Sequence, residues 1–350
     1  MNISVERVTT AGTKRHFMQL PAAVNAADSF HVPSKEFLPA DGCAFVAYLG
    51  GKPVARCAAR LQTGNPSTGT IGSFEAFNES DAVKALLDSA VQWLKAHHAT
   101  RIIGPMDGDT WHAYRFTTGP FDAPPFFKEP WNPPYYPSLW EAAGFTVTEH
   151  YDTYIVNDPA TAASNQQRFY ERCLKMGHTF LPVTARGFAG MLPLLHELSC
   201  RIFCDNVLYT PIGFDEFRNL YLPARSLFRS GLSWIALAPD GTPEGYIFTF
   251  PDYADAIRAM RGETHLAAKM RFAMHRSRAT RTCIKTLGTI PERRRSGVSA
   301  ALTHLAYRGS AALGYRQTLM CLMHSANDSR RFGGDADCPY RAYALYEYVS

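Results

Sequence analysis

Apolar positions along this chain change period several times, and each change marks an element. Residues 44–49 and 53–60 run apolar or alternate, and Gly50-Gly51 between them is a hairpin signal. Residues 70–77 predict a third strand. A helical spacing follows over 81–97 through Val83, Leu86, Leu87, Ala90, Val91 and Leu94, with Ser80 placed to cap it. A strand over 100–103 closes on Gly104-Pro105, a short helix over 139–143 stops at Gly144, and 145–156 reads as paired strands. Residues 157–166 are small and polar, contain a proline, and predict a linker.

The second half repeats the plan. Residues 168–175 fit a helix start or a strand lead-in, and 190–202 and 215–222 predict helices. Strands over 234–238 and 244–250 flank the turn Pro239-Asp240-Gly241-Thr242. A basic insertion, helical in part, fills 254–281. A strand over 282–290, a helix from near Gly297 to about 308, and strands over 316–323 and 340–348 complete the chain. Both halves read as hairpin, strand, helix, strand, short helix, strand. The pattern predicts an α/β chain, of α+β type with mixed sheets, in two like domains over 1–158 and 159–350.

The most informative stretch is 282–302. A strand, a tight basic turn and a helix start together make an anion site, because the first helical turn leaves N–H groups unpaired and the helix dipole adds partial positive charge. Gly297 lets backbone approach a ligand. Arg293, Arg294 and Arg295 add charge suited to phosphate. The turn is neither a Walker loop nor a dinucleotide fingerprint, since Gly-Lys-Ser/Thr and G-x-G-x-x-G are absent.

Composition narrows the picture. At 350 residues, 46% hydrophobic and 19% charged, the chain is globular and suits two domains. The net charge of +5 fits an anionic ligand and is too small to imply specific nucleic-acid binding. Eight cysteines include no C-x-x-C pair and no zinc spacing, so free thiols, a cytoplasmic compartment and no metal are expected. Residues 1–14 lack the apolar core of a signal peptide, and no run approaches a membrane span. G-x-S-x-G and H-E-x-x-H are absent, which leaves serine-hydrolase and zinc-protease chemistry unsupported.

Arg294-x-x-Gly297-x-Ser299 resembles the R-x-x-G-x-G/A pattern of the GNAT acyltransferases, with Ser in the last small position. Further blocks resemble the YghO-like tandem GNAT proteins of bacteria, a group that includes ceramide-synthase-like acyltransferases. They are Gly104-Pro105-Met106, Pro120-Phe121-Asp122-Ala123-Pro124-Pro125, Trp131-Asn132-Pro133-Pro134-Tyr135-Tyr136-Pro137 and Ala142-Ala143-Gly144-Phe145 in the first half. In the second they are Gly241-Thr242-Pro243-Glu244-Gly245, Pro251-Asp252-Tyr253, Asn327 and Arg341-Ala342-Tyr343-Ala344-Leu345-Tyr346-Glu347.

The resemblance implies two tandem GNAT-like domains, acyl-CoA or acetyl-CoA as cosubstrate, and transfer of its acyl group to a small-molecule or lipid amine. Leu287, Gly288 and Thr289 would align the pantetheine arm, with Gly288 a candidate bulge. Arg294, Arg295, Ser296, Gly297, Val298, Ser299 and Ala300 would hold the pyrophosphate, with Asn327 nearby. The first half has only Asn78-Glu79-Ser80-Asp81 at the matching junction, where two carboxylates would repel phosphate, so that domain is expected to be degenerate.

Three departures bear on the chemistry. Ser325-Ala326 replaces an acidic pair, the helix after Asn327 looks shortened to 328–332, and it holds no Tyr for the usual proton donor. His324, Tyr340 and Tyr343 are the remaining catalytic candidates. Trp111, His112, Tyr114, Trp131 and Tyr135 are candidates for the acceptor side, with loop packing as the alternative use of the same side chains. Two other functions stay open: a Fem-like aminoacyl transferase using charged tRNA, favoured by the basic insertion, and a non-catalytic acyl-CoA-binding protein, favoured by the missing Tyr.

Overall fold

A computed structural model describes residues 2–32, 38, 41–327, 330, 332 and 339–349. In chain order the first elements are β1 (Ile3–Arg7), α1 (Ala11–Val24), β2 (Cys43–Leu49), β3 (Lys52–Gln62), β4 (Asn65–Ala76), α2 (Ser80–Ala96), β5 (Arg101–Gly104), β6 (Phe116–Gly119), α3 (Tyr136–Ala142) and β7 (Phe145–Val156). There follow α4 (Pro159–Lys175), β8 (Thr179–Pro182), α5 (Phe188–Phe203), α6 (Phe214–Tyr221), β9 (Trp234–Leu237), β10 (Pro243–Pro251), α7 (Ala254–Arg258) and α8 (Leu266–His275). The last are β11 (Arg281–Thr289), α9 (Val298–Ala312), β12 (Gln317–His324) and β13 (Arg341–Tyr348).

The chain forms two units that interleave in sequence. One holds Met1–His150, Ile257–Lys269 and Ala342–Ser350. The other holds Tyr151–Ala256 and Met270–Arg341. A single cut after residue 158 therefore does not describe them, because the C-terminal strand closes the first unit's sheet. β13 pairs antiparallel with β5 through Tyr346↔Gly104 and with β6 through Tyr343↔Thr117.

In the first unit the strands run β1-β2-β3-β4-β5-β13, with β4 and β5 parallel. α2 covers one face because Val83, Leu86, Leu87, Ala90, Val91 and Leu94 recur at helical spacing, and all six are buried. Its cap position is Glu79 rather than Ser80, and no side chain bonds the first turn. The aromatic block packs the other end of this core. Phe74, Phe116, Tyr136, Trp140 and Phe145 meet edge-on or tilted at 4.6 to 5.3 Å in the contacts Phe74–Tyr136, Phe116–Trp140 and Trp140–Phe145.

In the second unit the order is β7-β12-β11-β10-β9-β8, and β11 with β12 is the parallel pair. α9 buries Val298, Ala301, Leu302 and Leu305 against this sheet's apolar face.

Two expectations are corrected. Residues 157–166 begin α4: the Asp158 carboxylate accepts from Ala160 and Thr161 N–H, and Pro159 opens the first turn. The capping chemistry outweighs the polar composition that suggested a linker. Likewise 145–156 is one 12-residue strand rather than two. The shortened helix expected over 328–332 falls largely outside the described residues.

Candidate active site

The second unit's parallel pair opens along its length. β11 and β12 are in register from Arg281↔Gln317 to Ile284↔Met320. Both strands continue, to Thr289 and His324, yet among the described residues no further β11–β12 pair forms. Two irregularities accompany the parting. β11 shifts against β10 between Thr286 and Ile284, so the bulge lies at Lys285 and not at Gly288. β12 shifts against β7 between Met320 and Met323, where Leu322 takes φ +58° and donates its N–H to Thr153 Oγ1 at 3.0 Å. Gly288 serves packing, since a Cβ there would lie 2.3 Å from the Ile202 side chain on α5. Leu287 and Thr289 flank it on the same edge, and Thr289 Oγ1 lies 3.4 Å from Ser299 Oγ at the helix start.

After β11 the loop is held from β10. Ile290 N–H donates to the Glu244 carbonyl at 2.8 Å, and the buried Glu244 carboxylate accepts from Arg293 Nε and faces His178 Nε2 at 2.9 Å. Arg294 bonds Asp205 at 2.9 Å and the Ile202 carbonyl at 3.3 Å, so its charge is already partnered. Ser296 Oγ donates to the Arg293 carbonyl at 2.7 Å. Arg295 and Gly297 both adopt positive φ, +66° and +96°. Gly297 is the cap of α9 and has no side chain to bond the first turn. Val298 and Ala300 bury their side chains, which fixes the helix, and Val298 N–H donates to Ser296 Oγ at 3.4 Å.

The catalytic candidates separate. His324 ends β12 beyond the parting; its Nδ1 accepts from Ala326 N–H at 3.2 Å, which places the ring proton on Nε2, and its ring meets Tyr151 edge-on at 5.1 Å. Asn327 donates its N–H to the His324 carbonyl, closing that turn. Tyr340 accepts from Arg281 Nη1 at 3.2 Å, and Arg281 also pairs with Asp252 at 2.7 Å. This ties the hydroxyl to the opening residue of β11, the end away from the loop. Tyr343 belongs to the first unit, buried, with its hydroxyl on Glu129.

The acceptor candidates all lie in the first unit. His112 Nδ1 sits 2.8 Å from Asp109, which also accepts from Trp111 and His112 N–H. Arg115 stacks on the Tyr114 ring at 3.9 Å. Trp131 Nε1 donates to Asp28 at 2.7 Å, and the Tyr135 hydroxyl donates to the Ala76 carbonyl at 2.9 Å. These contacts are those of a braced loop.

The sequence did not single out Glu244 with His178, although Pro243-Glu244-Gly245 stood out as a block. It also missed the Tyr154 hydroxyl, shared by Arg330 and by Asp152 at 3.2 Å. Burial raises the Tyr154 pKa, and the Arg330 bond works against that. Apart from Asp152, their partners are 49 to 176 residues away, and no local pattern signals such pairs. Among the described residues no group of three or more His, Cys, Asp or Glu is placed to hold a metal ion.

A strand pair parting beside a strand–loop–helix, present with the same strand order in a second unit, defines the GNAT fold in tandem. Solved structures agree at fold level. The GCN5-related N-acetyltransferase of Sphaerobacter thermophilus superposes with TM-score 0.51 at 13% identity, covering 99% of this chain and 95% of that one. A tandem GNAT protein of the clavulanic acid biosynthesis pathway gives 0.52 at 11%, covering 99% and 98%.

In sequence, the chain is similar to the bacterial ceramide synthase of Caulobacter vibrioides, 23% identical over 282 residues, 75% of this chain and 73% of that one. It is equally similar to protein YghO of Escherichia coli strain K12, 23% over 321 residues, 87% and 81%. No protein-family model matches the chain.

Proposed function

We propose that the protein is an acyl-CoA-dependent N-acyltransferase whose second unit takes the acyl donor. The observation that carries this is the parting of β11 from β12 directly ahead of an uncapped helix start. The edge of β11 that β12 leaves, from Lys285 to Thr289, suits an extended thioester arm, which would pair as a strand does. The N–H groups from Arg295 to Ala300 suit a pyrophosphate, and Arg294 would exchange Asp205 for it. The GNAT fold and the ceramide-synthase relative support acyl transfer in general; the coenzyme A donor and the small-molecule or lipid amine are the finer part of the proposal.

In that reaction a neutral amine attacks the thioester carbonyl. A C–N bond forms, the C–S bond breaks, and the proton that the amine loses ends on sulfur. His324 stands at the end of β12 with its proton on Nε2, which suits that N–H to polarise the thioester carbonyl. The commitment of Tyr340 to Arg281 and of Tyr343 to Glu129 favours a second reading, an acyl-CoA-binding protein without turnover.

Thermal unfolding with coenzyme A, acetyl-CoA and long-chain acyl-CoA tests binding, since a ligand of the native state raises the melting temperature. No shift with any of them would remove the donor assignment. His324→Ala is expected to lower turnover about a hundredfold with little change in binding. Unchanged turnover would take His324 out of the site, and binding without thiol release against an amine panel would select the second reading.

A further inference from the structure

The basic insertion carries a helix with its apolar side turned outward. Among the described residues the most exposed large apolar side chains are Leu266, Met274, Val349 and Met270, at 75, 61, 60 and 58%. Three of these stand on α8 at spacings of four, which stacks them in one stripe. Ala273 is exposed beside them. The opposite side anchors the helix: Ala268 is buried, and Phe272 packs on Tyr253 with ring centroids 5.5 Å apart. An outward stripe of Leu and Met is unfavourable in water unless something covers it.

The surrounding charge says what covers it. Helical spacing puts Lys269 on one flank of the stripe and Arg271 on the other, and the exposed Arg276 and Arg278 follow at once. Residues 254–281 hold seven Lys or Arg against Asp255 and Glu263, a surplus of five that equals the net charge of the whole chain. Arg258, bonded to the Pro125 carbonyl, and Arg281, paired with Asp252, are committed elsewhere, which leaves Arg261, Lys269, Arg276 and Arg278 around the helix.

We infer that α8 is an interfacial helix that docks the protein on an anionic membrane surface. Leu266, Met270 and Met274 would enter the headgroup–acyl boundary. The stem of Lys269 would lie along that boundary, and Lys269, Arg276 and Arg278 would carry their charges to lipid phosphates. A second copy of this face is the poorer occupant, because it would set like charges against each other.

Co-sedimentation of the full chain with vesicles tests the inference, comparing phosphatidylcholine alone with phosphatidylcholine containing roughly 30% phosphatidylglycerol. The chain is expected to sediment with the anionic vesicles and to be released by high salt. The variant Leu266→Ser/Met270→Ser/Met274→Ser should bind about tenfold less, or weaker still, at an unchanged melting temperature. Lys269→Glu/Arg276→Glu/Arg278→Glu should lose the preference for anionic lipid. Failure of the native chain to sediment, equal binding by both variants, or a concentration-dependent dimer dispersed by the triple Ser variant would each overturn it. No acyl donor enters this assay, and Gly297→Glu should bind vesicles like the native chain, so the result stands apart from the proposed activity.

Discussion

Each unit has one parallel strand pair followed by a helix, and the two have opposite fates. In the first, β4 and β5 pair from Thr68↔Arg101 to Thr70↔Ile103 and then part, as β11 and β12 do. There the gap is stitched shut by the chain itself. Met106 N–H donates to the Ile71 carbonyl at 2.8 Å, and Asp107 Oδ1 accepts from Ser73 N–H and Oγ at 2.6 and 3.0 Å. Gly72 permits this approach, since a Cβ would lie 2.2 Å from Asp107 Oδ1. Tyr136 then accepts from Ala76 N–H, and Tyr135 donates to its carbonyl, so the last residue of β4 is satisfied as well. The first unit is degenerate in a specific sense: besides lacking the arginines and Gly297, it has filled the strand gap with a carboxylate and two tyrosines. In the second unit the pair parts ahead of a longer loop.

The largest expected effect breaks the open copy. Gly297→Glu puts a side chain on a residue at φ +96°, with a Cβ 3.3 Å from Phe169, and adds negative charge at the helix start. Strain of about 1–2 kcal/mol and repulsion together should weaken coenzyme A binding about a hundredfold, read by calorimetry. Glu79→Gly at the first unit's junction should leave that affinity unchanged. If Glu79→Gly weakened it as much, the contrast between the junctions would be wrong.

Next comes the stitch. Asp107→Ala removes the acceptor of two bonds and leaves Ser73 N–H unsatisfied, so denaturant unfolding should show a loss of about 2–3 kcal/mol. The coenzyme A shift should persist. Tyr136→Phe is a smaller change, about 1 kcal/mol, because only the bonds to Ala76 N–H and Glu75 go while the ring stays packed.

How much of this contrast a reader of the sequence could see depends on range. The loop at 294–299 and the apolar stripe of α2 are local patterns, and both stand in the structure where spacing put them. The acidic junction at Asn78-Glu79-Ser80-Asp81, with neither Arg nor Gly, was also legible. The filling of the first gap was not, because Asp107 reaches Ser73 across 34 residues and Tyr136 reaches Ala76 across 60. The placement of Tyr343 was hidden for the same reason. It sits near Tyr340 in sequence, but sheet pairing takes β13 into the first unit, where its hydroxyl meets Glu129. α4 was misread locally, since NDPATAASNQ has a linker's composition and a helix's capping geometry.

The smallest effect concerns the loop that follows the stitch. Burial pushes the Asp109 carboxyl up, but the His112 bond and charge, with the Trp111 and His112 N–H groups, outweigh it and leave its pKa below the ordinary 3.8. A carboxylate held lower in the folded state than in the unfolded one contributes stability that is present above pH 3.8. That contribution is lost as pH falls through the depressed value. Asn at 109 cannot titrate, so Asp109→Asn should be less stable than the native chain at neutral pH. The gap should narrow as acid is added below 3.8, in denaturant curves collected across that range. Because Asp109 sits in the first unit, coenzyme A affinity at neutral pH should not follow it. A variant that lost affinity in step with stability would show that the closed copy still governs the open one.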